Sequence, residues 1–128
     1  MDINSLIPKD KFDLNSVNTL KTLDINIIKP IISDLLEWTK DSNWPITEEI
    51  GDMLVPLGTE LIPYLRGIFD SNDDCWKYSI LVNLVNKLPP TVLSEMEADL
   101  KRLALNPTER ERQEYVDEEA TEILALLQ

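Results

Sequence analysis

Residues 62–88 read IPYLRGIFDSNDDCWKYSILVNLVNKL: an apolar helix, a turn built from Asp, Ser and Asn, then a second and longer helix with tryptophan near its start. In the second part Cys75, Trp76, Tyr78, Ile80, Leu81, Val82, Leu84, Val85 and Leu88 leave only a narrow polar stripe at Ser79, Asn83 and Asn86. A helix that is apolar on nearly every side has to be enclosed by its neighbours. Residues 74–88 are therefore predicted to be the central helix, with Cys75 a buried packing residue.

The same order of parts recurs upstream. In LLEWTKDSNWPI, Leu35 to Ile46, an apolar helix runs into Asp41-Ser42-Asn43, and Pro45 is expected in the first turn of the next helix. Pro30 and Pro63 are 33 positions apart, and Trp44 and Trp76 are 32. Periods of this length mark stacked helical hairpins, and residues 62–88 resemble a HEAT-type repeat, with 30–57 a more divergent copy. Elsewhere the apolar residues recur at three and four, as in Ile28, Ile31, Ile32, Leu35 and Trp38, and again in Ile46, Ile50, Met53, Leu54 and Leu57.

None of the three glycines stands in an Asn-Gly or Asp-Gly hairpin signal. The expected fold is all-α, HEAT-like stacked antiparallel hairpins of six to seven helices in one domain spanning residues 1–128. They are placed near 16–22, 25–40, 45–57, 59–69, 74–88, 91–105 and 107–127. Asn106-Pro107-Thr108-Glu109 reads as a helix start with Asn106 as cap, Gly58 as a left-handed helix end, Ser71-Asn72-Asp73 as candidate caps, and Pro89-Pro90 as a stop followed by a start.

With 24 acidic against 12 basic residues the formal charge is −12. A surface of that sign repels phosphate backbones and anionic membranes, so neither nucleic acid nor a membrane is an expected partner. A basic protein is the class it attracts. One cysteine forms no intramolecular disulfide, and no apolar run approaches the roughly 18 residues of a membrane span, so a cytoplasmic location is expected.

Several phrases, LIPKDKFD, LLEWTKDSNWPI, ELIPYL, CWKYSIL and NPTERERQEYVDEEATEIL, together resemble the bacterial family Domain of unknown function 5071 over nearly the whole chain. The most specific parts are Trp38 to Pro45 and Trp76-Lys77-Tyr78. The chain departs from that pattern at Thr39, where a hydrophobic residue is usual, and at Thr47, where alanine often stands; both departures are expected to affect helix packing. The resemblance implies a small helical, HEAT-like protein and no particular activity.

Catalytic and metal chemistry find little footing. There is no histidine, a single cysteine cannot build a zinc site, and the glycines match neither dinucleotide nor P-loop spacing. Asp70-Ser71-Asn72-Asp73-Asp74 begins like a calcium loop, but Cys75 replaces its glycine and Leu81 its closing glutamate. Helix capping accounts for the same residues. No catalytic residue, cofactor or metal is therefore assigned, and a carboxylate-dependent enzyme is kept only as a minor alternative. The expected function is a noncatalytic protein-binding module, in concrete form an acidic immunity or inhibitor protein for a basic effector. The other alternative is a structural or regulatory homodimer. The candidate partner-binding residues are Trp44 with the acidic face Glu48, Glu49 and Asp52. Trp38, on the Ile28, Ile31 and Leu35 face, is assigned to the core, as is Trp76.

Overall fold

The computed structural model describes residues 2–127. Among them the fold is all-helical, without a strand. Helix α1 (Leu14–Leu20) is opened by Asp13, whose carboxylate accepts from the backbone N–H of Ser16 at 3.2 Å and from its hydroxyl at 2.8 Å. The first of these bonds satisfies a backbone donor that the first turn leaves free.

Proline sets where two of the longer predicted helices break. The stretch 25–40 is not continuous: α2 (Ile25–Ile28) passes through a 3-10 turn at Lys29–Ile31 into α3 (Ile32–Glu37). Pro30 has no N–H to donate, and its ring crowds the carbonyl four residues back. Likewise α4 (Thr47–Leu54) gives way at Pro56 to a 3-10 segment, Val55–Leu61. Gly58 kinks that segment at φ 56°, ψ −123°. Its φ is positive, as expected, but its ψ lies outside the left-handed helical region of a simple helix end.

Helix α5 (Ile62–Phe69) carries Pro63 in its first turn. Asp73 then caps α6 (Asp74–Asn83) by accepting from the Trp76 N–H at 3.0 Å, so the acidic turn serves as a helix start. A 3-10 turn at Val85–Lys87 ends at Pro89, and Pro90 opens α7 (Pro90–Glu95). A break at Met96 separates α7 from α8 (Glu97–Leu105).

The predicted helix 107–127 is also two. Its cap is Thr108 rather than Asn106, and a full capping box joins Thr108 to Glu111 at the start of α9 (Glu109–Gln113). Asn106 precedes a proline, which disfavours helical backbone at that residue, and its φ of −137° is outside a helix. Tyr115 then takes a left-handed conformation, φ 63° and ψ 20°, before α10 (Val116–Ala125). A non-glycine residue there costs roughly 1–2 kcal/mol.

One hydrophobic core runs through the described residues, and Ile80, Leu81, Leu84 and Val85 at its centre are fully buried. Helix α6 touches α4, α5 and α10, which agrees with its predicted central place, and α10 lies mainly along α8. Only Val116, Ala120 and Ile123 of α10 are buried, so it is an outer helix. No helix among the described residues is long and apolar enough to cross a membrane.

Of the polar stripe read on the central helix, Asn86 is exposed but the other two residues are not solvated. Ser79 and Asn83 are buried, and the Asn83 side chain donates to the Ser79 carbonyl at 2.9 Å, so the pair is satisfied within its own helix. Gly51 lets α4 come close to this helix: a Cβ built on Gly51 would lie 2.1 Å from the carbonyl oxygen of Asn83. Gly51→Ala is expected to destabilise the fold by about 2 kcal/mol, because backbone overlap outweighs the better helix propensity of alanine. Urea unfolding followed by circular dichroism measures this, and an unchanged or raised midpoint would contradict the close crossing.

Candidate functional site

The four predicted partner-binding residues do not share one recess. On α4, Glu49 is ion-paired with Lys21 and Asp52 with Lys87, while Glu48 is exposed. Two of the three acids therefore already face a cation of this chain. None of the three lines the recess that contains Trp44, which is walled by Ile7, Asp34, Glu37, Trp38, Lys40 and Trp44 and has a volume near 340 Å³.

Trp44 is half-buried, and its ring leans on Trp38 with centroids 5.7 Å apart and planes tilted by 57°. That distance is typical of a favourable aromatic pair. Trp38 was assigned to the core by its spacing, but it too is half-buried, packed on the core and against Trp44. The reason is where α3 stops: it ends at Glu37, so Trp38 belongs to the turn and not to the helix face that its spacing implied. Pro45 also lies in this turn, and α4 begins only at Thr47. Trp44 therefore precedes its helix whereas Trp76 sits inside α6, and the two are not equivalent in place.

Hydrogen bonds from short polar side chains hold the turn. The Asp41 carboxylate accepts from the Asn43 N–H at 2.8 Å, and the Trp44 N–H donates to the Asp41 carbonyl at 3.1 Å. The buried Thr47 hydroxyl shares its proton between the carbonyls of Asp41, at 2.7 Å, and Trp38, at 3.2 Å. Thr39 is fully buried; its hydroxyl donates to the Leu36 carbonyl at 2.6 Å and accepts from the Trp76 indole N–H at 3.0 Å. The two threonines expected to affect only packing thus tie the turn and orient Trp76.

Four recesses share walls around this turn. One lies between α3 and α5, with Ser33, Glu37, Tyr64, Gly67 and Trp76 among its walls and a volume near 210 Å³. It meets the Trp44 recess at Glu37. Lys40 then joins the Trp44 recess to a third, of about 310 Å³, containing Asp41, Tyr78 and Cys75. Cys75 and Glu114 lead on to a fourth, of about 610 Å³, beside Asp73, Asp74 and Arg110. Linked in series by these shared side chains, the four open recesses make up a furrow. Its walls carry the aromatic rings of Trp38, Trp44, Tyr64, Trp76 and Tyr78, and the carboxylates of Asp34, Glu37, Asp41, Asp73, Asp74 and Glu114, against the cations Lys40 and Arg110. Aromatic faces interleaved with carboxylates suit a cationic ligand.

The far end of the furrow is positioned by a buried ionic cluster that periodicity did not indicate. Glu111, with no exposed surface, accepts two bonds from the Arg102 guanidinium, at 2.8 and 2.7 Å, one from the Thr108 N–H at 2.8 Å and one from Lys77 at 2.9 Å. Lys77, itself buried, also bonds Asp74 at 2.9 Å. The cluster clamps α9 against α6 and α8. The readable signal was Thr-x-x-Glu at 108–111, which marks a capping box but not the burial of its glutamate.

Burial alone would raise the Glu111 carboxyl, but bonds from Arg102, Thr108 and Lys77 outweigh it and hold the pKa at about 2 instead of the ordinary 4.5. A lowered folded pKa stabilises the fold above pH 4.5, and that contribution is lost as pH falls toward 2. Chemical denaturation in steps across that window is expected to show stability dropping steadily. Glu111→Gln should be less stable at pH 7 by about 3 kcal/mol and show a shallower acid slope; an unaltered slope would contradict the clamp.

Cys75 corrects the prediction of a buried packing role, since it is exposed. It is the second residue of α6 and faces the furrow beside Glu114, away from the α4 and α5 contacts. Desolvation of its sulfur, then the Glu114 carboxylate, and Asp73 and Asp41 beyond it, push the thiol pKa up. Exposure and reactivity therefore part company: labelling by a disulfide reagent at pH 7.5 should be slower than that of a free peptide thiol and should climb steeply at higher pH. Rapid labelling at neutral pH would refute the acidic setting.

The fold and this surface define a small all-helical protein with an acidic aromatic furrow. The sequence model of the family described as Domain of unknown function (DUF5071) matches residues 6–124, and the chain belongs to that family. A search of curated proteins found no match to it.

Proposed function

We propose that this protein is a noncatalytic protein-binding module whose furrow receives a basic segment of another protein. In its concrete form it acts as an immunity or inhibitor protein, neutralising a basic effector by covering it. The observation that carries this reading is the excess of carboxylates over cations along one open surface that also presents Trp44 and Trp38. Trp and basic-acidic complementarity are the usual materials of an interface centre and of its steering field. The repeated helix–turn–helix units fit a HEAT-like stack, in which successive turns fall along one side. The paired α4 acids lend it less support than the furrow does, because Lys21 and Lys87 already answer Glu49 and Asp52.

The test is capture of basic proteins from native lysate at low salt on immobilised wild type and variants. Trp44 packs on Trp38 and not on the main core, so Trp44→Ala should keep its helical signal yet lose about thirtyfold of partner affinity, the ~2 kcal/mol of a hot spot. Asp34→Lys should weaken capture more than Glu48→Lys, and raised salt should release the partner. Binding indifferent to salt and to both Trp44 and Asp34 would overturn the reading.

A further inference from the structure

The furrow is partly occupied by the chain itself. The Lys40 ammonium lies 4.9 Å from the centroid of the Trp76 ring and 2.5 Å from the Glu37 carboxylate. A cation within about 6 Å of an indole face is attracted by the ring quadrupole, and the carboxylate supplies its counter-charge. We propose that Trp76 and Glu37 form a subsite for an arginine side chain of the basic partner, and that Lys40 fills this subsite in the free protein. The inference rests on the furrow being a binding surface and names what that surface reads.

Three features favour arginine as the occupant. The ring is preorganised, because its N–H is fixed on the buried Thr39 hydroxyl, itself fixed on the Leu36 carbonyl. The space beside the ring is open: Gly67, inside α5, forms part of the recess wall, and a Cβ added there would meet nothing within 4 Å. Glycine weakens a helix interior, and no close neighbour within this chain requires it at 67, whereas a planar group sliding past Trp76 would. Lys40 is also held lightly. Its pair with Glu37 is half-exposed on both sides, and such surface pairs contribute little. A guanidinium stacks on an indole and grips a carboxylate with two parallel bonds, where an ammonium is a compact, strongly hydrated point charge. An incoming arginine would therefore displace Lys40.

Calorimetric titration with hexa-arginine at low salt tests this, with hexa-lysine as the comparison probe. Lys40→Ala should tighten hexa-arginine about fivefold to tenfold, and hexa-lysine less. Lys101→Ala removes the same charge from an exposed pair with Glu97 on α8, so it should change affinity by less than about twofold. Adding Glu37→Gln to Lys40→Ala should reverse the gain. The Trp76 indole N–H resonance should move on titration of the Lys40 variant. If Lys40→Ala and Lys101→Ala tighten the probe equally, the attraction is diffuse and the subsite is wrong, although the furrow reading stands. If Glu37→Gln leaves the gain intact, the subsite is likewise wrong. If hexa-arginine binds neither wild type nor Lys40→Ala, both the subsite and the furrow reading fall.

Discussion

A carboxylate with no solvent access sits where three helices meet, and the geometry of the surface depends on its being satisfied. Desolvating a carboxylate costs several kcal/mol, so Glu111 is stable there only because Arg102, Lys77 and the Thr108 N–H converge on it. Each of these donors comes from a different part of the chain: Arg102 from α8, Lys77 from α6, and Thr108 from the cap of α9 itself. A cluster of this kind adds little stability over a well-packed apolar one. It fixes register instead, because α9 cannot slide by a turn without stranding charges. Arg110, Gln113 and Glu114 are thereby held at the furrow's edge, and the left-handed Tyr115 lets the chain reverse into α10 immediately afterwards.

The other end of the furrow is fixed by neutral hydrogen bonds. Thr47 closes the turn on two carbonyls, and Thr39 connects that turn to the Trp76 indole on α6. These bonds fix the Trp76 ring through its N–H and the turn backbone that carries Trp38 and Trp44. Two of them, Trp38 and Trp44, support each other at the surface, while Trp76 presents a face to Lys40. Rings held in this way lose little further entropy when a ligand arrives, which is what a binding surface requires.

Much of the architecture is legible in the sequence. Spacings of three and four in Ile50, Met53 and Leu54 place those side chains in the core, and the enclosed helix containing Ile80, Leu81 and Leu84 is central. Capping by Asp73 and the start at Pro90 were legible because they depend on a few adjacent residues. The candidate site was legible only in part. Trp44 stands half-buried at the turn, but Glu49 and Asp52 looked like free acids because their partners, Lys21 and Lys87, are distant in sequence. Cys75 looked buried because its neighbours are apolar, yet position on a helix face is a matter of angle, and its angle points into the furrow.

Local chemistry by itself determined that this chain is helical, acidic and punctuated by proline and by short polar caps, since period, charge and capping all act over a few residues. Only the tertiary structure decided which charges are neutralised, which threonines orient a ring, and where Glu111 goes. Those outcomes join residues up to 37 positions apart, as in the Trp76 to Thr39 bond. Contacts at that separation depend on how helices cross, and the crossing of α4 with α6 turns on the space that one missing Cβ leaves at Gly51.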